Sequence, residues 1–520
     1  MKVVTAAQMQ ALDRWAITQA RIPSLTLMEN AGAAVVAAMQ ETFGPLAGKS
    51  VAVVCGKGHN GGDGFVVARL LRRNRVRVRV LLLHRTTDLV SDARTMCRRF
   101  ANSAAASALQ VCPSTHQLEQ GLTSSDLIVD ALLGTGLSAP VQGPYLEAIE
   151  TINLAAHPSR PVIAVDLPSG IHADTGAVLG AAVRATLTVT FALPKLGLYV
   201  GAGIDHAGTV RIVDIGMPRS SADRVESRIS LIDSRAVLDH IPRRIPSSHK
   251  GTYGHAGIIA GSVGKTGAAA LAAKAALRVG AGLVTVATPA SVNDTLEAKV
   301  LEVMTVPMPE TKARTLARSG LDRLLAFIRD RTAVAIGPGL TTHPETVELV
   351  HALVAQLNTP AVLDADALNA LAGRQALLAS CKVTPILTPH PGEMARLEED
   401  ATPQSVNADR IGTASRFAQG RGVILVLKGA RTVLAHPDGR VAICPTGNPG
   451  MATAGTGDVL TGIIVGLLAQ RLDAWDAACV ATYIHGAAGD LAAAQLGAAG
   501  MIAGDLIEHI PHALQQAIAP

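Results

Sequence analysis

The chain has 520 residues, too many for one compact domain, so we expect two or more hydrophobic cores. Its residues are 48% apolar, 17% charged and 2% aromatic, which favours closely packed helices on an α/β sheet over a β-sandwich. The formal net charge of +5 is small for this length and argues against a dedicated nucleic-acid-binding protein.

The first half of the chain alternates apolar, strand-like runs with segments long enough for crossover helices. This alternation predicts a Rossmann-like, doubly wound domain of three α/β/α layers around a mostly parallel sheet. The predicted strands are residues 51–56, 76–84, 126–134, 161–169, 185–193 and 209–216.

A polar stretch at 219–228 and a segment rich in proline and arginine at 241–251 interrupt this pattern. We therefore place a domain boundary here and predict domains at 1–225 and 226–520. The second half then resumes an α/β pattern without repeating the first in sequence, so two different α/β domains are expected. Its predicted strands are residues 255–261, 282–289, 332–339, 360–368, 381–390 and 423–429.

The location of the protein is predicted from its cysteines and its apolar runs. The six cysteines are dispersed without a CxxC pair, which indicates reduced thiols rather than a disulfide framework or a zinc site. No secretory signal is evident at the N-terminus, and the longest apolar runs, such as 462–469, are too short to span a bilayer. We expect a cytoplasmic protein that does not bind membranes.

A glycine-rich loop, GKGHNGGDG at 56–64, follows the first predicted strand and contains a GxGxxG pattern. A redox dinucleotide site also requires an acidic residue at the end of the next strand, about 20 residues further on. That strand instead ends in His84 and Arg85. Asp63 within the loop would repel a bare pyrophosphate, so the loop suits a hydroxyl, a cation or a polar heterocycle better.

Two further patterns invite a phosphate-binding interpretation and are better explained otherwise. The arginines between residues 72 and 79 end in an alternation with Val76, Val78 and Val80, as on a half-exposed strand. The segment GSVGKTG at 261–267 resembles a P-loop, but Ile259 stands where that motif needs glycine. We therefore expect Lys265 at the surface, near the start of a helix.

A second glycine-rich segment, NPGMATAGTGDVLTG at 448–462, places Gly455–Gly457 at the start of a helix that begins near Asp458. Free amides and the helix dipole at such a point stabilise a developing anion. An aspartate there can accept a proton from a hydroxyl that attacks a phosphoryl group, although it can also be a simple N-cap. Together with the segments 426–433, 335–340 and 388–393, it predicts a nucleotide-dependent small-molecule site.

These motifs resemble those of the bifunctional NAD(P)H-hydrate repair enzymes, in which an epimerase domain is fused to an ADP-dependent dehydratase domain of ribokinase-like fold. The resemblance covers nearly the whole chain. In the first domain it rests on NGGDGFVVAR, DLIVDALLGTGL, AVDLPSG and FALPKLGL. In the second it rests on HKGTYGHAGIIAGS, GAGLVTVATP, GPGL, LDADAL, LTPHPGE, LKGARTV and NPGMATAGTGDVLTG.

The resemblance implies repair of nicotinamide cofactors that have added water at C6 of the ring. The first domain would interconvert the R and S hydrates of NADH and NADPH. The second would dehydrate the S hydrate with ADP as co-substrate, giving AMP, phosphate and NAD(P)H. ADP is chosen over ATP because the fused architecture resembles the prokaryotic members.

For the first domain, the resemblance implies a potassium ion held by oxygens of Asn60, Asp130 and Ser169. Asp166 is an implied catalytic residue, and Lys195 is an implied proton-transfer or phosphate contact for which a surface position is an equal alternative. The family more often has asparagine where this chain has His59. The implied substrate contacts are His59, Asn60, Gly61, Gly62, Asp63, Gly134, Thr135, Gly136, Leu137, Ser138, Ala139, Pro140, Tyr145 and Asp166.

For the second domain, the resemblance implies that Asp458 deprotonates the C6 hydroxyl, which attacks the terminal phosphoryl group of ADP. The amides of Gly455–Gly457 and Mg²⁺ would neutralise the developing charge. Ala454 stands where the family more often has glycine, which could narrow this anion-binding site. The implied nucleotide contacts are Lys428, Gly429, Ala430, Arg431, Thr432 and Gly457, and the implied substrate contacts are Ala256, Gly339, His390 and Asp458.

His390 lies between two prolines, a rigid turn that favours a ligand role over that of an ordinary core histidine. The alternative function is a ribokinase-type small-molecule kinase with a nucleotide-sensing N-terminal domain. The fused first domain, with Asn60, Asp130 and Asp166 present, favours repair. The resemblance and the helices rich in alanine and glycine also predict a homo-oligomer with small molecules as its other partners.

Overall fold

The computed structural model describes residues 1–103 and 106–518. The chain divides into two compact units, Met1–Ser227 and Arg228–Pro520, close to the boundary predicted at residue 225. Among the described residues, no helix combines the length and the apolar character that crossing a bilayer requires.

A seven-stranded parallel sheet forms the centre of the first unit, in the order β3-β2-β1-β4-β5-β6-β7. The strand order reverses between β1 and β4, and open α/β sheets bind ligands at the carboxyl ends of the strands beside such a switch point. The strands are β1 (Ser50–Cys55), β2 (Arg77–Leu82), β3 (Leu109–Val111), β4 (Leu127–Ala131), β5 (Val162–Val165), β6 (Leu187–Phe191) and β7 (Thr209–Val213).

Helices cover both faces of this sheet, so that the predicted three-layer fold is confirmed. Along β1, Val51, Val53 and Cys55 contribute to one apolar core, whereas Ala52 and Val54 contribute to the other, as the two-residue period of a strand requires. The helices are α1 (Ala6–Thr18), α2 (Ser24–Phe43), α3 (His59–Arg73), α4 (Ser91–Ser103), α5 (Thr115–Thr123), α6 (Pro144–Ala155) and α7 (Gly203–His206).

A ten-stranded sheet forms the centre of the second unit, in the order β11-β10-β9-β12-β13-β14-β15-β16-β17-β8. Only the pairs β15–β16 and β16–β17 are antiparallel among those described. The strands are β8 (Ile229–Leu231), β9 (His255–Ile259), β10 (Leu283–Pro289), β11 (Met304–Met308), β12 (Ala333–Ile336), β13 (Ala361–Leu363), β14 (Ile386–Leu387), β15 (Ile424–Leu427), β16 (Val433–Ala435) and β17 (Val441–Ile443).

The second unit also has an apolar core on each face of its sheet. Along β9, Ile258 belongs to one core and Ile259 to the other. Close helix packing follows from its small residues: a Cβ at Gly462 would lie 2.1 Å from the carbonyl oxygen of Ala272. The helices are α8 (Ser234–His240), α9 (Thr266–Arg278), α10 (Asn293–Glu297), α11 (Leu321–Arg329), α12 (Pro344–Val354), α13 (Asp366–Leu371), α14 (Pro391–Leu397), α15 (Pro403–Ala408), α16 (Arg410–Arg421), α17 (Thr456–Ala469), α18 (Ala474–Leu496) and α19 (Ala503–Ile518).

The predicted strands correspond to β1, β2, β4–β7, β9, β10 and β12–β15, and five further strands were not predicted. Four of these, β3, β8, β16 and β17, have three residues each, too few to show an alternating pattern. The fifth, β11, lies at the sheet edge and contains Pro307, a residue that weakens a strand prediction.

Candidate active sites

A cavity of about 850 Å³ lies in the first unit at the carboxyl ends of β1 and β4, beside the switch point of the sheet. The loops that follow these strands form part of its wall, and α1 and α2 supply further lining side chains. The predicted site residues that line it are His59, Asn60, Asp63, Gly134, Thr135, Gly136, Leu137, Ser138, Ala139, Tyr145, Asp166 and Lys195.

Three predicted substrate contacts, Gly61, Gly62 and Pro140, do not line this cavity. A Cβ at Gly61 would lie 2.0 Å from the carbonyl oxygen of Gly56, and one at Gly62 would lie 2.7 Å from the sulfur of Met28. A side chain at Gly61 would therefore collide with the backbone, whereas one at Gly62 would displace the end of the flexible Met28 side chain. Pro140 is exposed to solvent.

Asp166 and Lys195 form an ion pair in the cavity wall, in which the lysine is buried and the carboxyl group is partly exposed. Lys195 is 1% exposed, which excludes the surface alternative, and its Nζ donates to Asp166 Oδ1 at 2.6 Å. The same oxygen accepts from Thr190 Oγ1 at 3.1 Å and from the Phe191 amide at 3.3 Å. Asp166 has a φ of 67°, a conformation that non-glycine residues rarely adopt outside functional sites. The pair thus holds the Asp166 carboxyl group at a fixed point of the cavity.

Three more carboxyl groups, Asp13, Asp63 and Asp92, line the same cavity, and only Asp63 was predicted. Burial raises the pKa of Asp63 well above its usual value, and the charges of Asp166 and Asp13 raise it further. Burial also raises the pKa of Asp13 to about 6, although the charge of Lys195 opposes this shift. Asp13 lies on α1, outside every recognised motif. Sequence reasoning missed it because an aspartate on an amphipathic helix is ordinarily a surface residue.

The three predicted cation ligands converge on one loop. Ser169 Oγ donates to Asp130 Oδ1 at 2.6 Å and accepts from the Leu133 amide at 2.9 Å, and Asn60 Nδ2 donates to the Leu133 carbonyl at 3.0 Å. Burial raises the pKa of Asp130 to about 6, against the effect of its hydrogen bonds from Ser169 and Leu132. In the described part of the chain no lysine, arginine or histidine pairs with this buried carboxyl group.

In the second unit, Asp458 lies in the first turn of α17, after Gly455 with a φ of 92°. Burial raises the pKa of Asp458 to about 7, and the charge of Asp364 adds to this while Lys428 opposes it. A Cβ at Gly457 would lie 3.3 Å from the Lys428 nitrogen, so a larger residue would crowd the ammonium group. The helix start therefore combines free amides, a carboxyl group and a cation.

Two residues that hold this arrangement in place were missed in the sequence. Asp364, at the end of β13, is 1% exposed; its carboxylate accepts from Lys428 Nζ at 2.8 Å and from Thr461 Oγ1 at 2.7 Å. His485 of α18 has a pKa lowered to about 4 by burial, so its neutral Nε2–H donates to the Thr456 carbonyl at 2.9 Å. The LDADAL motif pointed to Asp364, whereas His485 carries no sequence signal.

Residues 428–432 form the loop between the antiparallel strands β15 and β16. Arg410 of α16 donates to the Ala430 carbonyl and, at 2.8 Å, to the Leu427 carbonyl. Gly429 has a φ of 148° and Thr432 Oγ1 donates to its carbonyl at 3.1 Å. Arg410 was not predicted, yet its guanidinium group fixes the backbone of the predicted nucleotide-binding loop.

The remaining predicted substrate contacts of the second unit, His390, Gly339 and Ala256, lie in different environments. His390 Nδ1 accepts from the amides of Gly392 at 3.0 Å and Glu393 at 3.2 Å, so the side chain caps α14 while remaining half-exposed. Gly339 has a φ of 68° after β12. Ala256 lies near the amino end of β9 and is 0% exposed. Its side chain packs in the apolar core on one face of the sheet, and its predicted contact with the hydrate stays a prediction.

Comparison with known proteins gives a match for each unit. A family described as NAD(P)H-hydrate dehydratase matches residues 256–512, and one described as YjeF-related protein N-terminus matches residues 24–197. The bifunctional NAD(P)H-hydrate repair enzyme of Moorella thermoacetica is 47% identical over 517 residues, covering 99% of this chain and 97% of the relative. The chain belongs to the bifunctional NAD(P)H-hydrate repair enzymes.

Another bifunctional NAD(P)H-hydrate repair enzyme, from Escherichia coli, is 38% identical over 455 residues, covering 87% of this chain and 83% of the relative. A solved structure of the ADP/ATP-dependent NAD(P)H-hydrate dehydratase of Bacillus subtilis, co-crystallised with ATP and Mg²⁺, is 31% identical. It covers 55% of this chain and 98% of that chain, with a TM-score of 0.47. The family resemblance predicted from the motifs is thus confirmed by the full-length relatives of this repair enzyme.

Proposed function

We propose that this chain repairs hydrated NADH and NADPH. The first unit interconverts the R and S C6 hydrates, and the second dehydrates the S hydrate with ADP, giving AMP, phosphate and NAD(P)H. The observation that carries this proposal is the Asp458 carboxyl group at a helix start beside Lys428, in a chain whose relatives match it along its length. A phosphoryl-transfer site in a hydrate repair enzyme fits dehydration by way of a phosphate ester.

In the dehydration, Asp458 accepts the proton of the C6 hydroxyl group, and the hydroxyl oxygen attacks the terminal phosphorus of ADP. The bond from that phosphorus to AMP breaks, and AMP leaves. The ring nitrogen lone pair then expels phosphate from C6. Loss of a C5 proton to the departing phosphate restores the dihydronicotinamide.

The residues around Asp458 favour this chemistry by positioning charge. Lys428 lies beside Gly457, where its ammonium group can contact the transferring phosphoryl group. Mg²⁺ bound with the nucleotide would neutralise phosphate charge, and such an ion is commonly held by one or two carboxylates together with phosphates and water. Asp366 fits that role because its side chain is more accessible than those of Asp364 and Glu393.

In the epimerisation, Asp166 acts as the base that removes the proton from the C6 hydroxyl group. C6 carries both this oxygen and the ring nitrogen, so loss of the proton allows the C6–N1 bond to open to an aldehyde. Reclosure on the other face of the aldehyde gives the other epimer. Lys195 orients the Asp166 carboxylate through their 2.6 Å contact.

The proposed function is tested with the purified chain, both hydrate epimers and ADP, by following the return of dihydronicotinamide absorbance in the near ultraviolet. Complete recovery of both epimers is expected, because the R hydrate passes through the epimerase reaction. Accumulation of a stable phosphorylated alcohol without recovery would instead indicate the ribokinase-type kinase. Recovery of only half of a racemic mixture would contradict the epimerase assignment.

A potassium site at Asn60, Asp130 and Ser169 is supported by its donor set. A buried carboxylate, a hydroxyl, an amide oxygen and the Leu133 carbonyl are the hard oxygen ligands that such a cation prefers. The described residues include no cluster of three or more His, Cys, Asp or Glu side chains suited to a metal. A cation here would therefore depend mainly on neutral oxygens.

Potassium is expected to stabilise the first unit against thermal unfolding. At a concentration 100 times its Kd, a ligand that binds only the folded state adds about 2.7 kcal/mol. The Tm should therefore be higher in KCl than in tetramethylammonium chloride at equal ionic strength, and Asp130→Asn should abolish the difference. An equal potassium effect in the wild type and in Asp130→Asn would exclude this site.

The cytoplasmic location and the homo-oligomeric state remain predictions of this proposal. Size-exclusion chromatography with light scattering of the purified chain measures the oligomeric state directly.

A further inference from the structure

One face of α1 forms part of the wall of the first-unit cavity. Gln10, Asp13 and Ile17 line the cavity, whereas Leu12 and Ala16 are buried in the apolar core, as the helical period requires. Asp13 is therefore held on the cavity side of a helix whose opposite side is anchored. This helix precedes residue 24, where the match to the family begins.

The start of α1 is also fixed, which gives Asp13 a defined position. Thr5 and Gln8 form a capping box, and the Ala6 amide donates to Asp174 Oδ1 at 2.6 Å. The chain just before the helix pairs with the strand-like segment at Lys195 through Val4. Asp13 and the Asp166–Lys195 pair are thus parts of one connected structure.

Asp13 differs from Asp166 in its partners. Asp166 Oδ1 accepts hydrogen bonds from Lys195, Thr190 and the Phe191 amide. Within the described residues, no side chain or amide donates to the carboxyl group of Asp13, although it lines the same cavity. A polar group on a cavity wall without a protein partner is available to contact a ligand.

The charged groups that act on Asp13 come from several elements around the cavity. Asp166 raises its pKa, whereas Lys195, His59 and Arg14 lower it, and burial is the dominant effect, so that the pKa rises to about 6. Asp63 of α3 lines the same cavity. The cavity therefore holds one carboxyl group with several hydrogen-bond donors and another with none and a raised pKa, two different environments of the kind that acid–base catalysis uses.

We propose that Asp13 is a catalytic residue of the epimerisation, the acid that works together with the base Asp166; this inference rests on the proposed epimerase function. Asp166 takes the C6 hydroxyl proton as the C6–N1 bond breaks, and the bonding electron pair moves to N1. Asp13 donates its proton to N1, leaving an aldehyde and a neutral nitrogen. After rotation about the bond to the aldehyde carbon, Asp13 takes the N1 proton back and N1 attacks the other face. Asp166 then returns its proton to the oxygen, so both carboxyl groups end as they began.

The test uses the full chain and one purified hydrate epimer without ADP, so that dehydration does not occur. Epimer exchange is followed by chromatography, with the rate in the absence of enzyme subtracted. Asp13→Asn should lower kcat for exchange about 100-fold, in the range of general acid catalysis, and Asp13→Glu should restore part of it. Asp205→Asn, the same substitution at an exposed aspartate outside the cavity, is the matched control and should exchange at the wild-type rate.

The pH profile separates proton donation from a structural role. In the wild type, kcat for exchange should fall as the pH rises through about 6, because Asp13 must be protonated to act. Asp13→Asn should lose this fall, and Asp13→Glu should retain it at a shifted pH. Dehydration of the S hydrate with ADP should be unchanged in both variants, which shows that the second unit is folded, and the exchange retained by Asp13→Glu shows the same for the first unit.

Several results would overturn the inference. Wild-type exchange rates in Asp13→Asn would remove Asp13 from the chemistry, and loss of exchange in Asp63→Asn alone would make Asp63 the acid. Slow exchange in Asp13→Asn with an unaltered pH profile would indicate a structural role only. A wild-type chain without any epimer exchange would instead contradict the proposed function itself, so the two failures are distinguishable.

Discussion

Asp458→Asn is expected to lower the rate of ADP-dependent dehydration about 1,000-fold, because asparagine cannot accept the proton of the C6 hydroxyl group. The substitution preserves the size of the side chain and leaves the amides at the start of α17 in place. The return of dihydronicotinamide absorbance measures dehydration, and chromatography of the hydrates without ADP measures epimer exchange. Exchange should continue at the wild-type rate, since Asp458 belongs to the second unit.

The pH dependence of dehydration follows from the environment of the same group. Burial and the charge of Asp364 raise the pKa of Asp458 to about 7, and a base must be ionised to act. The wild-type dehydration rate should therefore increase as the pH rises through about 7 and then level off. The residual rate of Asp458→Asn should show no such step.

A matched control for this substitution is Asp322→Asn. Asp322 also lies in the first turn of a helix, α11, but its side chain is exposed. The Asp322→Asn variant should dehydrate the S hydrate at the wild-type rate. Loss of epimer exchange along with dehydration in Asp458→Asn would contradict the assignment of the two reactions to two units.

Lys195→Met should abolish most epimer exchange and destabilise the first unit. The substitution leaves Asp166 without its cation in a cavity that also contains Asp13 and Asp63. Removal of one partner from a buried ion pair costs about 3 kcal/mol, because the other charge remains uncompensated. We expect this loss in the free energy of unfolding, measured by denaturant titration, and at least a 100-fold lower exchange rate.

Two further variants make this prediction specific. Arg211→Met removes an exposed pair with Glu41 at 3.6 Å and should change the free energy of unfolding by less than about 1 kcal/mol. The double variant Lys195→Met with Asp166→Asn should regain much of the lost stability, because no unpaired charge remains, but not the activity. Equal stability of Lys195→Met and Arg211→Met would show that the Asp166–Lys195 pair is not important for the fold.

The sequence motifs indicated some of the residues at the candidate sites and missed others. Asp458, Lys428, Asp166 and Asp63 were found because each lies in a short motif at the end of a strand or the start of a helix. Asp13 was not found, because nothing local distinguishes it from a surface aspartate. In the second unit, Arg410 and His485 act on site segments distant from them in sequence, and no motif contains them.

Other predicted contacts have packing roles that a linear sequence does not reveal. Gly61 and Gly62 have the motif positions of ligand-binding glycines, yet a Cβ there would collide with Gly56 and Met28. His390 was predicted to bind substrate rather than to lie in the core, and the structure adds a third role, the cap of α14. Whether it also contacts the hydrate stays a prediction.

The sequence alone determined the two α/β domains and the family, and it predicted most of the residues of the two candidate sites. It could do so because strand periodicity, glycine loops and helix starts depend on residues that are close together in the sequence. Only the tertiary structure decided that Lys195 is buried on Asp166, that Ala256 is shielded within the sheet and that Asp13 lines the cavity. Burial and charge pairing depend on segments far apart in the chain, and they set the protonation states on which the proposed chemistry depends.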